Sequence, residues 1–173
     1  MSALQPPRQA QSGVVSTSQL AELVVTARRQ SEQTSAGEPR AFESMGDNVG
    51  MPVKLHHIVI DAHDLAGLAR FWTEALGWKV LSARENEVVI GTDENAPVGM
   101  CFMPVTDSKT VKNRVHVDLT TSAADRDQEI DRLLALGARR ADIGQTGAES
   151  WTVLADPEGN EFCVVRPKHT LIR

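Results

Sequence analysis

Two histidines stand at matching places in two similar segments of the sequence. His57 lies in the run LHHIVID at 55–61, and His116 lies in the run RVHVDL at 114–119. Side chains alternate between the two faces of a strand, so each histidine falls on the face opposite its Ile and Val neighbours. Neutral imidazole is a common metal ligand, and two rings converging in a cleft predict a metal site. The competing interpretation is two half-buried histidines hydrogen-bonded to carboxylates or water.

The same alternation assigns other polar side chains to the face that carries the histidines. In the last apolar run, at 161–166, Glu161 and Cys163 alternate with Phe162 and Val164. The face predicted to line a cleft also includes Asp61, Asp118 and Trp151. These three are predicted to contact a small polar ligand. The alternative interpretation of Cys163 is a small buried hydrophobic residue with no chemical role.

The elements around these residues follow an order that occurs twice. Each copy is predicted to contain one strand, one helix and three further strands, in that order. The elements of the first copy are predicted at 54–61, 65–76, 78–83, 87–91 and 97–105. Those of the second copy are predicted at 114–119, 123–136, 138–143, 151–155 and 161–166. Asp64 and Ser122 are the predicted helix N-caps, and Gly77 and Gly137 end the helices. The offset between copies is 59 residues at the histidines and 60 at the glycines.

This repeat predicts an α+β fold of two βαβββ modules, at 53–105 and 113–167. A module of this size cannot cover both faces of its own sheet, so two modules are expected to pair and enclose a concavity in a cupped mixed sheet. The domain is predicted to span residues 53–167. A pocket between the sheets then follows from the architecture itself.

Residues 1–50 differ in composition, since Gln, Ser, Pro and Gly dominate most of this stretch. Such a segment buries too little apolar surface to fold alone, and we predict a mostly disordered tail. A short amphipathic helix is predicted at 18–30, where Leu20, Leu23, Val24 and Ala27 follow helical spacing. This helix either docks on the domain or a partner, or remains marginal in a flexible tail.

Composition excludes several classes of function. The 173 residues carry 18 Lys and Arg against 23 Asp and Glu, a net charge of −5, and this balance argues against nucleic acid as a partner. No apolar run is long enough to span a bilayer and no secretory signal opens the chain, so we predict a cytoplasmic protein with no membrane partner. We also predict no nucleotide cofactor. Cys101 and Cys163 are expected to be free thiols or metal ligands.

Taken together, these segments resemble the vicinal oxygen chelate superfamily of glyoxalases, bleomycin-resistance proteins and extradiol dioxygenases, and more narrowly its glyoxalase-like branch. The resemblance is carried by LHHIVIDAHDLAGLARFWTEALGW at 55–78, VHVDLT at 115–120, RLLALGA at 132–138 and WTVLADPEGNEFCVV at 151–165. It covers residues 53 to 167. It implies paired βαβββ modules, commonly a homodimer, and a divalent ion in the metal-dependent members.

In those members the resemblance implies one ligand from the first strand, here His57, and one from the fifth, here His116. A carboxylate normally stands seven residues after the Asp of the D-P-x-G turn, and counting from Asp156 reaches Cys163 instead. Two imidazoles and a thiolate suit Zn²⁺ better than Mn²⁺ or Mg²⁺, so zinc is the expected ion if one is bound. Glu161, two residues nearer the turn, is assigned as a candidate general base.

Three functions remain open from the sequence, one of them an interaction module that works through the N-terminal helix (residues 16–33), and the other two concern the domain at 53–167. One is a lyase- or isomerase-type enzyme that acts on a small polar metabolite with a divalent ion held by the histidines. The other is a non-catalytic protein of the resistance type that sequesters a small molecule without metal. Retention of both histidines favours the enzyme, whereas the missing eighth-strand carboxylate favours the binding protein.

Overall fold

A computed structural model of the chain describes residues 53–121, 126–146 and 149–167. The predicted helix at 18–30 and the predicted cap at Ser122 lie outside these residues. The described elements are β1 (His57–Ala62), α1 (Leu65–Leu76), β2 (Lys79–Arg84), β3 (Glu87–Gly91), β4 (Gly99–Pro104), β5 (Val117–Thr120), α2 (Arg126–Ala135), β6 (Arg139–Arg140), β7 (Trp151–Ala155) and β8 (Glu161–Val165). Neither described helix has the length and apolarity that a bilayer crossing requires.

The strands form two sheets with the same internal order. The first sheet runs β1-β4-β3-β2 and the second runs β5-β8-β7-β6. In each sheet the first strand pairs in parallel with the last, and the other pairs are antiparallel. The prediction of an α+β fold built from two βαβββ modules is therefore confirmed.

Local signals explain where α1 begins and ends. The Asp64 carboxylate accepts a hydrogen bond of 2.9 Å from the N–H of Gly67, which satisfies one of the donors that the first helical turn leaves unpaired. Gly77 ends the helix with φ 64°, a left-handed conformation that glycine adopts without steric cost. The residues buried between these ends follow helical spacing and face the sheets: Leu65, Leu68, Phe71 and Trp72 among them.

One apolar core joins the two modules. The rings of Phe71 and Trp72, on α1, lie 6.1 and 5.2 Å from the ring of Phe162, on β8. Arg132, on α2, donates to the backbone carbonyls of Glu74 and Ala75 at 3.1 and 2.8 Å, where α1 leaves its last carbonyls unpaired. Both helices therefore contribute to the same apolar core, and they contact each other at the end of α1.

The fifth strand starts three residues later than predicted. Upstream of Val117 the chain turns toward β8, because the backbone N–H of Asn113 donates to the Glu161 carboxylate at 2.9 Å. Alternation along 114–119 predicts that Val115 shares the core-facing side with Val117 and Leu119, and this prediction is wrong, since Val115 is 79% exposed. His116 consequently precedes β5 and does not lie within it.

The sixth strand is also shorter than predicted. Side chains beyond Arg140 bond to the local backbone: Asp142 accepts from the N–H of Gly144 at 2.9 Å, and Gln145 accepts from the N–H of Ile143 at 2.8 Å. Such contacts satisfy backbone groups that a longer strand ladder would otherwise use.

Candidate ligand cavity between the two modules

A cavity of about 700 Å³ lies where the edge of β1 faces the second module. Its volume is within the usual range for sites that bind small organic molecules. Much of the wall is apolar and comes from both modules: Ile58, Val59, Ile60, Trp72, Val105, Val115, Val117 and Phe162. The polar part of the lining comes largely from the segment between the modules and from the turn before β8: Asp107, Ser108, Lys109, Asn113, Arg114, Glu158, Asn160 and Glu161, with Asp61 and His63 from the first module.

Polar contacts hold the segment that links the modules, residues 105–116, to both modules. Near its start, the ring Nε2 of His63 lies 2.8 Å from the backbone carbonyl of Asp107. Further along, Lys109 and the Asn113 N–H each donate to one oxygen of Glu161, both at 2.9 Å. This linker therefore forms part of the cavity wall and is held there by defined polar contacts.

Glu161 holds the linker, and its environment keeps it ionised. Burial raises the pKa of this carboxyl, but the hydrogen bonds from Asn113 and Lys109 more than compensate, and the pKa lies below its usual value. Both carboxylate oxygens already have donors, and the side chain is only 13% exposed. A carboxylate with a lowered pKa is a weak base at neutral pH, so the geometry suits a positioning contact better than proton abstraction.

Three charged side chains of the lining make no hydrogen bond or ion pair with the part of the chain that the structure describes. They are Asp61, Asp107 and Arg114, all of them exposed. Because the protein does not neutralise them, they remain available to polar groups of a ligand at the mouth of the cavity.

His57 lies at the start of β1, opposite Gly99 of β4. A Cβ at Gly99 would stand 3.2 Å from Cδ2 of the His57 ring, so the glycine leaves space for the imidazole. The ring also packs against His56, with centroids 4.0 Å apart. His57 does not contribute to the cavity wall.

His116 is engaged by its own neighbours. Its Nε2 lies 2.9 Å from the backbone carbonyl of Asn113 and 2.6 Å from Nζ of Lys112. A single ring nitrogen cannot donate to the carbonyl and accept from the ammonium at once, but with either tautomer a positive charge stands beside it. That charge opposes the approach of a cation to this nitrogen.

Cys163 is buried on the concave side of β8, beside Val153 and Val165. It pairs in register with Asp118 of β5, whose carboxylate acts on the thiol electrostatically. Burial and the neighbouring Asp118 charge together raise the pKa of Cys163 to about 11. Cys101 holds the corresponding place in the first module, in register with Val59, and burial raises its pKa as well.

The predicted metal ligands do not fit a divalent ion in this arrangement. No three His, Cys, Asp or Glu side chains within the described ranges lie close enough together to hold one. Lys112 adds positive charge at His116, and the Cys163 thiol strongly favours its protonated form. Zinc binds the deprotonated sulfur, so the raised pKa of the thiol weakens zinc binding at this donor set.

The structure brings together only some of the residues singled out from the sequence. Asp61 and Glu161 line the same cavity, whereas the other candidates lie outside its wall: His57, His116, Asp118, Trp151 and Cys163. Trp151 is 39% exposed on β7, opposite Val165. Sequence reasoning missed Lys109 and Asn113. The dense polar run TDSKTVKNR at 106–114 is the signal that could have pointed to them, because polar residues in linkers often carry function.

Comparison with known proteins gives one family match and several matches of fold. A family model described as a glyoxalase-like domain matches residues 57–165. A mutant of the fosfomycin resistance protein FosX from Listeria monocytogenes, complexed with Mn(II) and a dihydroxypropylphosphonic acid, superposes with a TM-score of 0.54 and 15% identity, covering 69% of this chain and 94% of that chain. A glyoxalase/bleomycin resistance protein/dioxygenase family enzyme from Burkholderia phytofirmans gives 0.52 and 18% identity, covering 67% and 100%.

A further structure, FosX from Mesorhizobium loti, gives a TM-score of 0.52 and 13% identity, covering 69% of this chain and 96% of that chain. At these identities the matches establish the fold alone. A search among curated proteins finds no match.

Proposed function

Because the chain belongs to the glyoxalase-like domain family, we propose that it binds a small organic molecule with an apolar body in the cavity between its two modules. The observation that carries this proposal is the cavity itself, about 700 Å³ with a largely apolar wall contributed by both modules. Its size and lining are typical of small-molecule sites, which combine apolar walls with a few polar groups that fix orientation.

The wall and the mouth of the cavity have different tasks. Ile58, Ile60 and Phe162 provide apolar surface, and covering it removes water at a gain of roughly 25 cal/mol per Å². At the mouth, Asp61, Asp107 and Arg114 offer charges of both signs to polar groups of the ligand. Sequestration of the molecule follows from these contacts and requires no metal ion.

The resistance-type role is the form of this function that we propose. The matched structures include proteins whose names describe resistance. One of them, the FosX mutant, is a Mn(II) complex, so what favours binding over a metal-dependent lyase reaction is the poor fit of this chain's own donor set to a metal ion. We therefore assign no catalytic step to Glu161. Its role in the proposal is to hold the linker against the cavity through Lys109 and Asn113.

We further propose that the protein is a homodimer. Three apolar side chains outside the cavity wall are more than half exposed in the described residues: Val53, Leu55 and Val111. Exposed apolar side chains are often covered in protein interfaces, and two-fold pairing is the commonest form of such an interface. Sedimentation velocity over a range of protein concentrations tests this proposal, and a monomer at every concentration would contradict it.

The ligand site is tested with the fluorescent probe 1-anilinonaphthalene-8-sulfonate, which combines an apolar ring system with one negative charge. We expect one saturable site per chain. Val115→Glu places a charge in the cavity wall and is expected to weaken the probe about tenfold or more, whereas Val53→Glu, an equally exposed valine outside the wall, is the matched control. Non-saturable binding, or equal effects of the two substitutions, would contradict the proposal.

A further inference from the structure

Within the residues that the structure describes, one backbone edge of β1 has no partner. There β1 pairs with β4 alone, and that ladder is flanked by the bonds from the Gly99 N–H to the His56 carbonyl at 3.0 Å and from the Val105 N–H to the Ala62 carbonyl at 3.1 Å. In a parallel ladder alternate residues of a strand bond to one neighbour. The even-numbered residues from His56 to Ala62 therefore direct their backbone N–H and C=O groups to β4. Val59 and Asp61, which alternate with them, direct theirs to the other side.

That other side is the cavity. Four consecutive residues of β1, at 58–61, contribute to its wall, which occurs when a pocket runs along the edge of a strand and not over one face. Across the cavity, β5 pairs only with β8 within the described residues. The backbone groups of Val59 and Asp61 thus border a largely apolar space, and no described strand pairs with them. Such edges readily accept an added strand.

We propose that the cavity recognises a molecule that carries a secondary amide in an extended form, a short peptide or peptide-like compound, through the backbone N–H and C=O of Val59. This inference rests on the ligand-binding function proposed above and names its ligand class. Addition of an extended peptide to a free sheet edge is a general mode of recognition, in which main-chain bonds give affinity and side-chain pockets give specificity.

The two faces of β1 beside the cavity define the pattern of side chains that a bound peptide needs. A segment lying beside β1 would direct alternate side chains to opposite faces. One face offers the apolar side chains of Ile58 and Ile60, and the other offers the charge of Asp61. Phe162 and Arg114 line the same cavity. The fitting ligand therefore has an apolar residue flanked by polar ones. Three extended residues span about 10 Å, a length compatible with a cavity of this volume.

The first experiment uses two peptides and the unmodified full-length protein. Acetyl-Thr-Leu-Thr-amide and the same peptide methylated on the nitrogens of all three residues are compared for displacement of 1-anilinonaphthalene-8-sulfonate. Methylation removes the donor that would face Val59 in either a parallel or an antiparallel alignment and preserves the side chains, so we expect affinity to fall about tenfold or more. Equal displacement by both peptides overturns the inference.

The second experiment changes the edge of β1. Val59→Pro removes the N–H that faces the cavity, a position where an edge strand tolerates proline, and Val59→Thr preserves it as the matched control. We expect the proline variant to bind the unmethylated peptide about tenfold more weakly than the threonine variant. Equal affinity overturns the inference, and if the proline variant does not fold, the comparison of the two peptides decides.

The two proposals fail in different ways. If the probe binds at the site weakened by Val115→Glu but neither peptide displaces it, the peptide inference is wrong and the proposed function stands. If the probe finds no saturable site, the proposed function is wrong and the inference falls with it.

Discussion

The indole Nε1 of Trp72 donates a hydrogen bond of 3.1 Å to Oδ2 of Asp156, in the only fully buried carboxylate of the described residues. Trp72 belongs to α1 of the first module, and Asp156 opens the turn before β8 of the second. The other oxygen of Asp156 accepts from the backbone N–H groups of Glu158 and Asn160 at 3.0 and 2.9 Å. One carboxylate therefore shapes the turn and joins the two modules at the cavity.

Asp156→Ala is expected to lower the free energy of unfolding by about 3 kcal/mol, because it leaves the Trp72 indole and two backbone N–H groups without an acceptor in a buried place. Trp72→Phe, which removes one of these bonds, should cost about 2 kcal/mol. Urea denaturation measures both. The matched control is Asp93→Ala, which removes an acceptor from an exposed turn of the first module and should cost less than about 1 kcal/mol. A control as costly as Asp156→Ala would contradict this account.

The pKa of Asp156 predicts one pH dependence. Burial raises this pKa above the ordinary value of 3.8, against the opposing effect of its hydrogen bonds. The native state therefore keeps a proton that the unfolded chain releases, and ionisation of Asp156 costs stability as the pH rises from about 3.8 through the raised pKa. Asp156→Asn should remove this contribution, so the variant's loss of stability relative to wild type should be larger below the window than above it. Urea unfolding between about pH 3 and pH 7 measures the difference.

Glu161 predicts the opposite dependence. Burial acts to raise its pKa, but the bonds from Asn113 and Lys109 bring it below the ordinary value of 4.5, so the carboxylate stabilises the native state above that pH. This contribution is lost as the pH falls through the folded-state pKa. Glu161→Gln should cost about 1 kcal/mol at pH 7 and progressively less in acid. A cost that is constant with pH would show that the Glu161 charge does not hold the linker.

Local signals made much of the fold predictable. Helix α1 was predicted with its observed ends because Asp64 and Gly77, the residues that directly flank it, signal where a helix begins and where it ends. The two modules followed from the offset of 59 to 60 residues between matching landmarks. Alternation also placed Phe162 and Val164 correctly in the core and Cys163 on the opposite face of β8.

Contacts between distant residues account for what the sequence did not predict. The shortened start of β5 depends on the bond between Asn113 and Glu161, which are 48 positions apart, and no local pattern reports such a partner. The same bond places the linker in the cavity wall, so the site lies at the edge of β1 and not over the face that carries His57. Alternation identifies the face of a strand, but it does not report which edge of that strand remains free.

Both cysteines are expected to react slowly with alkylating reagents in the folded protein. With a pKa of about 11, roughly one Cys163 thiol in a thousand is ionised at pH 8, and the thiolate is the reactive form. Iodoacetamide labelling followed by mass spectrometry should show a rate at least about a hundredfold below that of the urea-unfolded protein. Asp118→Asn removes a charge that raises this pKa and should speed labelling of Cys163 but not of Cys101. Rapid labelling of native Cys163 would contradict a buried thiol beside a carboxylate.

The chemistry of the predicted metal ligands leads to the final prediction. Lys112 lies 2.6 Å from Nε2 of His116, and the Cys163 thiol would have to lose a proton held with a pKa of about 11. Both features lower affinity for zinc at this donor set, since the ion would bind through the imidazole nitrogen of His116 and the thiolate of Cys163. Elemental analysis of protein purified without chelator or a histidine tag should therefore find well below one equivalent of zinc. Lys112→Met removes the positive charge beside His116, and its zinc content is compared with that of the wild type.

His57→Ala and His116→Ala should leave binding of the fluorescent probe unchanged, because neither ring lines the cavity. One equivalent of metal in the wild type, lost in both histidine variants, would instead establish a metal site and contradict the metal-free function.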